Sequence, residues 1–120
     1  MVLDKAKAPE VFYNDIDQET RVKLGETLGK QCMAAFGTPI GHNGLAYAPS
    51  TYIHATMDNA VSHGFQKWMV QRAQGQGRTE VNRDGPFGGD LGGFTLESGH
   101  TPMISKTEQM RDIFVKVAVA

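Results

Sequence analysis

Asp58 and His100 are the residues of this chain whose types and settings suggest proton-transfer chemistry. A carboxylate beside a histidine fixes the imidazole tautomer and stabilises its charged form. The imidazole is then a competent general base for a serine nucleophile. Neither residue is a signal alone. An aspartate after a strand ordinarily caps a turn or the next helix, and a lone histidine is ordinarily structural. Their joint placement gives them weight. The other chemically capable side chains read more plainly. His54 lies inside a strand and is expected to be packed or hydrogen-bonded, and His42 to be a solvated loop residue. His54, Asp58, His63 and His100 are metal-ligand types. They lack an H-x-x-x-H pair, so no metal is expected. Cys32 has no histidine close in sequence to act as its base and is read as core.

Asp58 and His100 need two strand ends side by side. Residues 49–58, Pro-Ser-Thr-Tyr-Ile-His-Ala-Thr-Met-Asp, contain β-branched and aromatic side chains suited to a half-buried strand. Pro49 stands just outside it, where a missing ladder donor does no harm. The strand ends on Met57 and passes Asp58 and Asn59 into a turn. An amphipathic helix over residues 61–73 follows, with Val61, Phe65, Trp68, Met69 and Ala73 as its sheet-packing face. A second strand over residues 93–97 ends in Ser98-Gly99-His100. Strand, helix, strand makes a crossover unit with parallel strands. Their carboxyl ends share one edge, where open α/β sheets place ligands and catalytic groups. Asp58 and His100 should therefore meet, at about 3 Å between heavy atoms.

The flanking segments are read in the same way. Residues 11–13 suit a short strand or a packing loop. Asp15 or Asp17 can cap a helix running to about residue 35, on which Leu24, Leu28, Cys32 and Phe36 form one apolar stripe. Gly25 and Gly29 each cost about 1 kcal/mol of helix propensity, so close packing against another element is expected there. Glycine and proline make residues 37–48 a loop. Residues 74–92, with six glycines, are longer than an ordinary helix-to-strand connection and read as a mobile insertion. Ser105-Lys106-Thr107-Glu108 has the form of a capping box. Behind it Met110, Ile113, Phe114, Val117 and Ala118 form an apolar face.

Composition bounds the function class. The chain has 120 residues, enough for one domain with a modest core. Twelve lysines and arginines oppose thirteen aspartates and glutamates without a basic stripe, which argues against a nucleic-acid partner. The start has no apolar run suited to a signal peptide or a membrane span. A single cysteine allows no disulfide within the chain. A cytoplasmic location without a membrane partner is the expectation, and no cofactor is implied.

Thr56-Met57-Asp58-Asn59-Ala60-Val61, then Phe65-Gln66, then Glu97-Ser98-Gly99-His100-Thr101-Pro102-Met103-Ile104-Ser105 resembles the C-terminal part of α/β-hydrolases. The nearest branch looks like the small esterases and hydroxynitrile-lyase-like enzymes. In that family the acid of the triad follows the penultimate core strand in a T-x-D-x-A/I pattern. The histidine follows the last strand in a G-H-x-P-x-x-S pattern. The resemblance thus implies that Asp58 is the acid and His100 the histidine of a Ser-His-Asp site. It implies a partial α/β-hydrolase fold, the last two parallel strands with their helices. Residues 12–48 would be the end of a helical cap and the return loop, and residues 49–120 the core segment.

Two features depart from the family pattern. The glycine-rich run before the last strand is longer, and no G-x-S-x-G nucleophile elbow occurs. Ala60-Val61-Ser62-His63-Gly64 is a relaxed A-x-S-x-G. It follows the acid, whereas the family serine precedes it, so Ser62 is read as a helix N-cap and His63 as a first-turn surface residue. The resemblance implies hydrolysis of small esters once another segment supplies the serine, with this chain alone inactive. The partners would be an ester-like small molecule and an N-terminal hydrolase segment, or self-association. The alternative is a non-catalytic remnant or interaction module of the same fold.

Overall fold

Two short strands carry the candidate site. The computed structural model describes residues 4–41, 50–73 and 93–119. In it β1 (Tyr52–Ala55) and β2 (Gly93–Leu96) pair in parallel, Tyr52 opposite Gly93 and Ala55 opposite Leu96. Around them lie α1 (Ala8–Phe12), α2 (Gln18–Thr27), α3 (Ala34–Gly37), α4 (His63–Ala73), α5 (Pro102–Ser105) and α6 (Thr107–Val119). The result is a mixed fold of helix and strand with a small parallel sheet, built on the expected strand, helix, strand order. Both strands are shorter than the sequence suggests, yet pairing continues beyond them. The Thr56 N–H donates to Leu96 O at 3.0 Å and the Met57 N–H to Ser98 O at 3.0 Å. That extension brings the chain to Asp58 on one side and to Gly99-His100 on the other. His42 and the whole glycine-rich connection, residues 74–92, lie outside the described residues.

Register decides which side chains form the core. Ile53 and Phe94 are partners, as are Ala55 and Leu96, so these four share one sheet face. Met110 and Ile113 of α6, three residues apart on one helix face, pack against Leu96, with Ile53 and Phe94 beside them. Burying a side chain of this size contributes about 1.5 to 3 kcal/mol. The expected apolar face of α6 is only half used, because Phe114 is 59% exposed and Val117 39%. A two-stranded sheet covers one narrow stripe of a helix.

α4 corrects the periodicity reading. It starts at His63, and its buried residues are Gln66 and Val70. Phe65 and Trp68, expected on the sheet, are about half exposed. They stack on each other with ring centroids 5.3 Å apart, and the Arg72 guanidinium lies 5.4 Å from the Trp68 ring centroid. A polar residue takes the inward position because it bonds the end of β1, as described below. Ser62 behaves as expected, its Oγ accepting the Phe65 N–H at 3.4 Å.

The N-terminal third differs more. Residues 8–12 form a helical turn in place of a strand or loop, with Pro9 near its start, where a missing N–H is harmless. Asp17 does cap α2. Its carboxylate accepts the Thr20 N–H at 3.0 Å, and this contact holds the carboxyl below its ordinary value. α2 stops at Thr27, however, and Leu28 is extended. The two glycines weaken this stretch, and the helix does not survive the second of them. The stripe from Leu24 to Phe36 is therefore broken. Phe36 is 61% exposed, and Cys32 is exposed and not part of a core. Gly25 is packed as expected, with the Pro9 ring 2.9 Å from where a Cβ would stand, whereas Gly29 meets nothing within 4 Å among the described residues.

The capping box before α6 does not form. Ser105 closes α5, and its Oγ donates to Asp15. The Thr107 hydroxyl donates to the carbonyls of Met103 and Ile104. A distant carboxylate has replaced the local partner.

Candidate active site

Asp58 leaves β1 through a turn that its own side chain builds. Oδ1 accepts the N–H groups of Ala60 at 2.7 Å and Val61 at 2.9 Å. These bonds orient the carboxylate toward the neighbouring strand end. There His100 Nδ1 lies 3.0 Å from Oδ2 and 3.1 Å from Oδ1. The Asp58 side chain is 6% exposed and that of His100 34%. The carboxylate is therefore shielded, and the ring keeps one open side. The separation agrees with the expectation for adjacent parallel-strand ends. A carboxylate only accepts hydrogen bonds, so in the neutral ring Nδ1 carries the proton and Nε2 the free lone pair. In that state the ring can accept a proton at Nε2 while Asp58 stabilises the charge that forms.

Gln66 is the first residue of the site that chemistry-bearing types did not identify. It is almost fully buried on α4. Its Nε2 donates to Ala55 O at 2.9 Å, to Val61 O at 2.7 Å and, at 3.5 Å, to Asp58 Oδ2. Its Oε1 accepts the Ala55 N–H at 2.9 Å. The Thr56 N–H points at β2, so strand alternation turns the N–H and C=O of Ala55 to the opposite edge. The Gln66 amide pairs with both, as a neighbouring strand would.

α1 and the segment just after it supply the rest. Asn14 Nδ2 donates to Met57 O at 2.7 Å. Asp15 Oδ2 accepts the Gly99 N–H at 2.7 Å and the Ser105 hydroxyl at 2.6 Å. Thr101 Oγ1 donates to Phe12 O at 3.0 Å, and Asn59 Nδ2 to Glu10 O at 3.0 Å. The Phe12 ring lies 5.3 Å from the His100 ring, tilted by 57°. Gly99 permits this approach. A Cβ there would collide with Asn14 Oδ1 and Asp15 Oδ1. Sequence reading offered Asp15 only as a possible helix cap, and Asn14 not at all. No local pattern shows bonds that join residues 43 to 90 positions apart.

The remaining candidates stand apart from this pair. His54 is fully buried, its ring 4.8 Å from that of Tyr52 and 5.5 Å from that of His63. His63 is half-buried against His54, where a surface position was expected. Burial, followed by the Asp58 charge, pushes the Tyr52 hydroxyl up. Among the described residues no group of three or more His, Cys, Asp or Glu side chains is placed to hold a metal ion. No described helix is long and apolar enough to cross a membrane.

Comparison with known proteins adds no family: no protein-family model, curated protein or solved structure matches this chain.

Proposed function

We propose that this chain carries the acid–base half of a serine-type hydrolase site, with His100 as general base and Asp58 as its orienting acid. The observation that supports it is the 3.0 Å contact of His100 Nδ1 with Asp58 Oδ2, made by one shielded and one open side chain at adjacent parallel-strand ends. The resemblance of the two surrounding motifs to α/β-hydrolases supplies the reaction class, hydrolysis of small esters. Ser62 is read as a helix cap and not as the nucleophile, which its acceptance of the Phe65 N–H supports. The serine and its oxyanion donors must then come from another segment. An N-terminal hydrolase segment is the partner proposed.

The chain by itself should show no ester turnover and no labelling by a fluorophosphonate, which marks activated serines. Mixing or co-expression with an N-terminal α/β-hydrolase segment containing G-x-S-x-G should restore both. The restored activity should fall by at least about a hundredfold in His100→Ala, since general-base catalysis is worth that much or more. Stoichiometric labelling of Ser62 in the isolated chain would sink this reading. So would restored activity that survives His100→Ala.

The same reading makes the chain a poor monomer. Phe65, Trp68, Phe114, Val115 and Val119 are each at least half exposed, and short parallel strands leave polar edges that other chains can pair with. Light scattering after size exclusion should show oligomers, which shift to a stoichiometric complex with the N-terminal segment. A monodisperse monomer that melts cooperatively would favour a self-sufficient, non-catalytic module.

A further inference from the structure

We infer that the end of α1 and the residues just after it form a positioning clip for the Asp58–His100 pair, with Asn14 and Asp15 as its two positioning residues. This inference rests on the acid–base reading above and extends it to residues that touch neither reacting atom.

Met57 and Asn59 flank Asp58 in the chain, and Gly99 and Thr101 flank His100. Each of these four residues is hydrogen-bonded to residues 10–15. Met57 O accepts from Asn14, and Asn59 donates to Glu10 O. The Gly99 N–H donates to Asp15, and the Thr101 hydroxyl donates to Phe12 O. One short segment therefore grips both neighbours of both members of the pair. Asn14 and Asp15 are adjacent in sequence, so they tie the acid turn to the histidine turn across a single peptide bond. Asp15 also accepts from Ser105, which anchors the end of α5 just beyond His100. The Phe12 ring beside the imidazole limits its swing.

The clip matters because a turn alone leaves the imidazole free to rotate. Hydrogen bonding at Nδ1 selects the tautomer that leaves Nε2 basic. A carboxylate and a ring on two separate loops hold that bond only while the loops keep their distance. Geometry good to about half an ångström requires support from residues behind the reacting ones. Here that support comes from an element more than forty residues upstream of the acid.

The test is the tautomer of His100 in the full chain, read from imidazole nitrogen resonances at alkaline pH. The ring of His100 in the unsubstituted chain should carry its proton on Nδ1, and Asp58→Ala should set the baseline without that partner. Asn14→Ala and Asp15→Ala should each lower the Nδ1–H to Nε2–H ratio by about threefold or more, the scale of one hydrogen bond's net worth. The His54 and His63 resonances should stay where they are. Asp15→Asn can put its amide oxygen where Oδ2 stands and still accept from both Gly99 and Ser105, so it should keep the original ratio. Should Asp15→Ala not fold, Asn14→Ala and Thr101→Val, which each remove a single bond, decide the matter.

An unchanged ratio in the variants that fold would overturn the clip. So would a change that appears only together with displaced His54 and His63 signals, since that is a general loss of structure. An unsubstituted chain already lacking the Nδ1–H form would instead overturn the acid–base reading itself.

Discussion

Gln66→Leu is expected to cost the chain about 4 kcal/mol. The change keeps the volume and adds apolar surface, so a simple burial argument predicts little loss or even a gain. The hydrogen bonds decide otherwise. Leucine leaves the N–H and C=O of Ala55 and the carbonyl of Val61 without the amide that now satisfies them. Each buried backbone group left unpaired costs about 1 to 3 kcal/mol. Against a total stability of about 5 to 15 kcal/mol, such a loss is a large fraction. The comparison with Phe65→Ala makes the test sharp. The helical pattern of α4 ranks Phe65 as core and Gln66 as surface, but Phe65 is 51% exposed and Gln66 2%. Phe65→Ala should therefore cost well under half as much. Chemical denaturation of both variants measures the order, and a Gln66→Leu loss below about 1 kcal/mol would refute the edge-pairing role.

Asp58 should show two separable effects. Asp58→Ala removes the acceptor for the N–H groups of Ala60 and Val61 together with the partner of His100. Hydrogen bonds to a charged group are worth about 1.5 to 3 kcal/mol each, and the turn recovers some through water, so a net loss of about 3 kcal/mol is expected. Asp58→Asn behaves differently. The amide oxygen can keep both turn bonds, so most of the stability should remain. Its NH2 group would face Nδ1–H, and His100 would have to move its proton to Nε2. In a completed serine–histidine–aspartate site that tautomer costs about 10⁴ in turnover. Denaturation midpoints and restored ester hydrolysis, measured on both variants, give the two readouts. Equal stability loss in both variants would show that the charge matters and the turn bonds do not. Full activity in Asp58→Asn would show that Asp58 does not set the tautomer of a catalytic His100.

Much of the candidate site was legible because its determinants are local. β-branched residues before Asp58, a helical period after it and a second apolar run ending at Ser98-Gly99-His100 imply two parallel strand ends. Parallel ends lie together by geometry, so the pair followed without any knowledge of packing. The cap by Asp17 and the contact at Gly25 were legible for the same reason, since both answer a local cost of the helix.

Tertiary structure alone decided three things. It chose Gln66 over Phe65 and Trp68 as the inward face of α4, because unpaired backbone at a strand edge outweighs the burial of a ring that can stay half exposed. It took Ser105 from a capping box and gave it to Asp15, because a carboxylate ninety residues away is the stronger acceptor. It ended α2 at Thr27 and left Cys32 in solvent, because an apolar stripe holds a helix together only where something packs on it. Periodicity records which faces a segment can bury. Which face is buried depends on the partners the rest of the chain brings, and those partners lie tens of residues away.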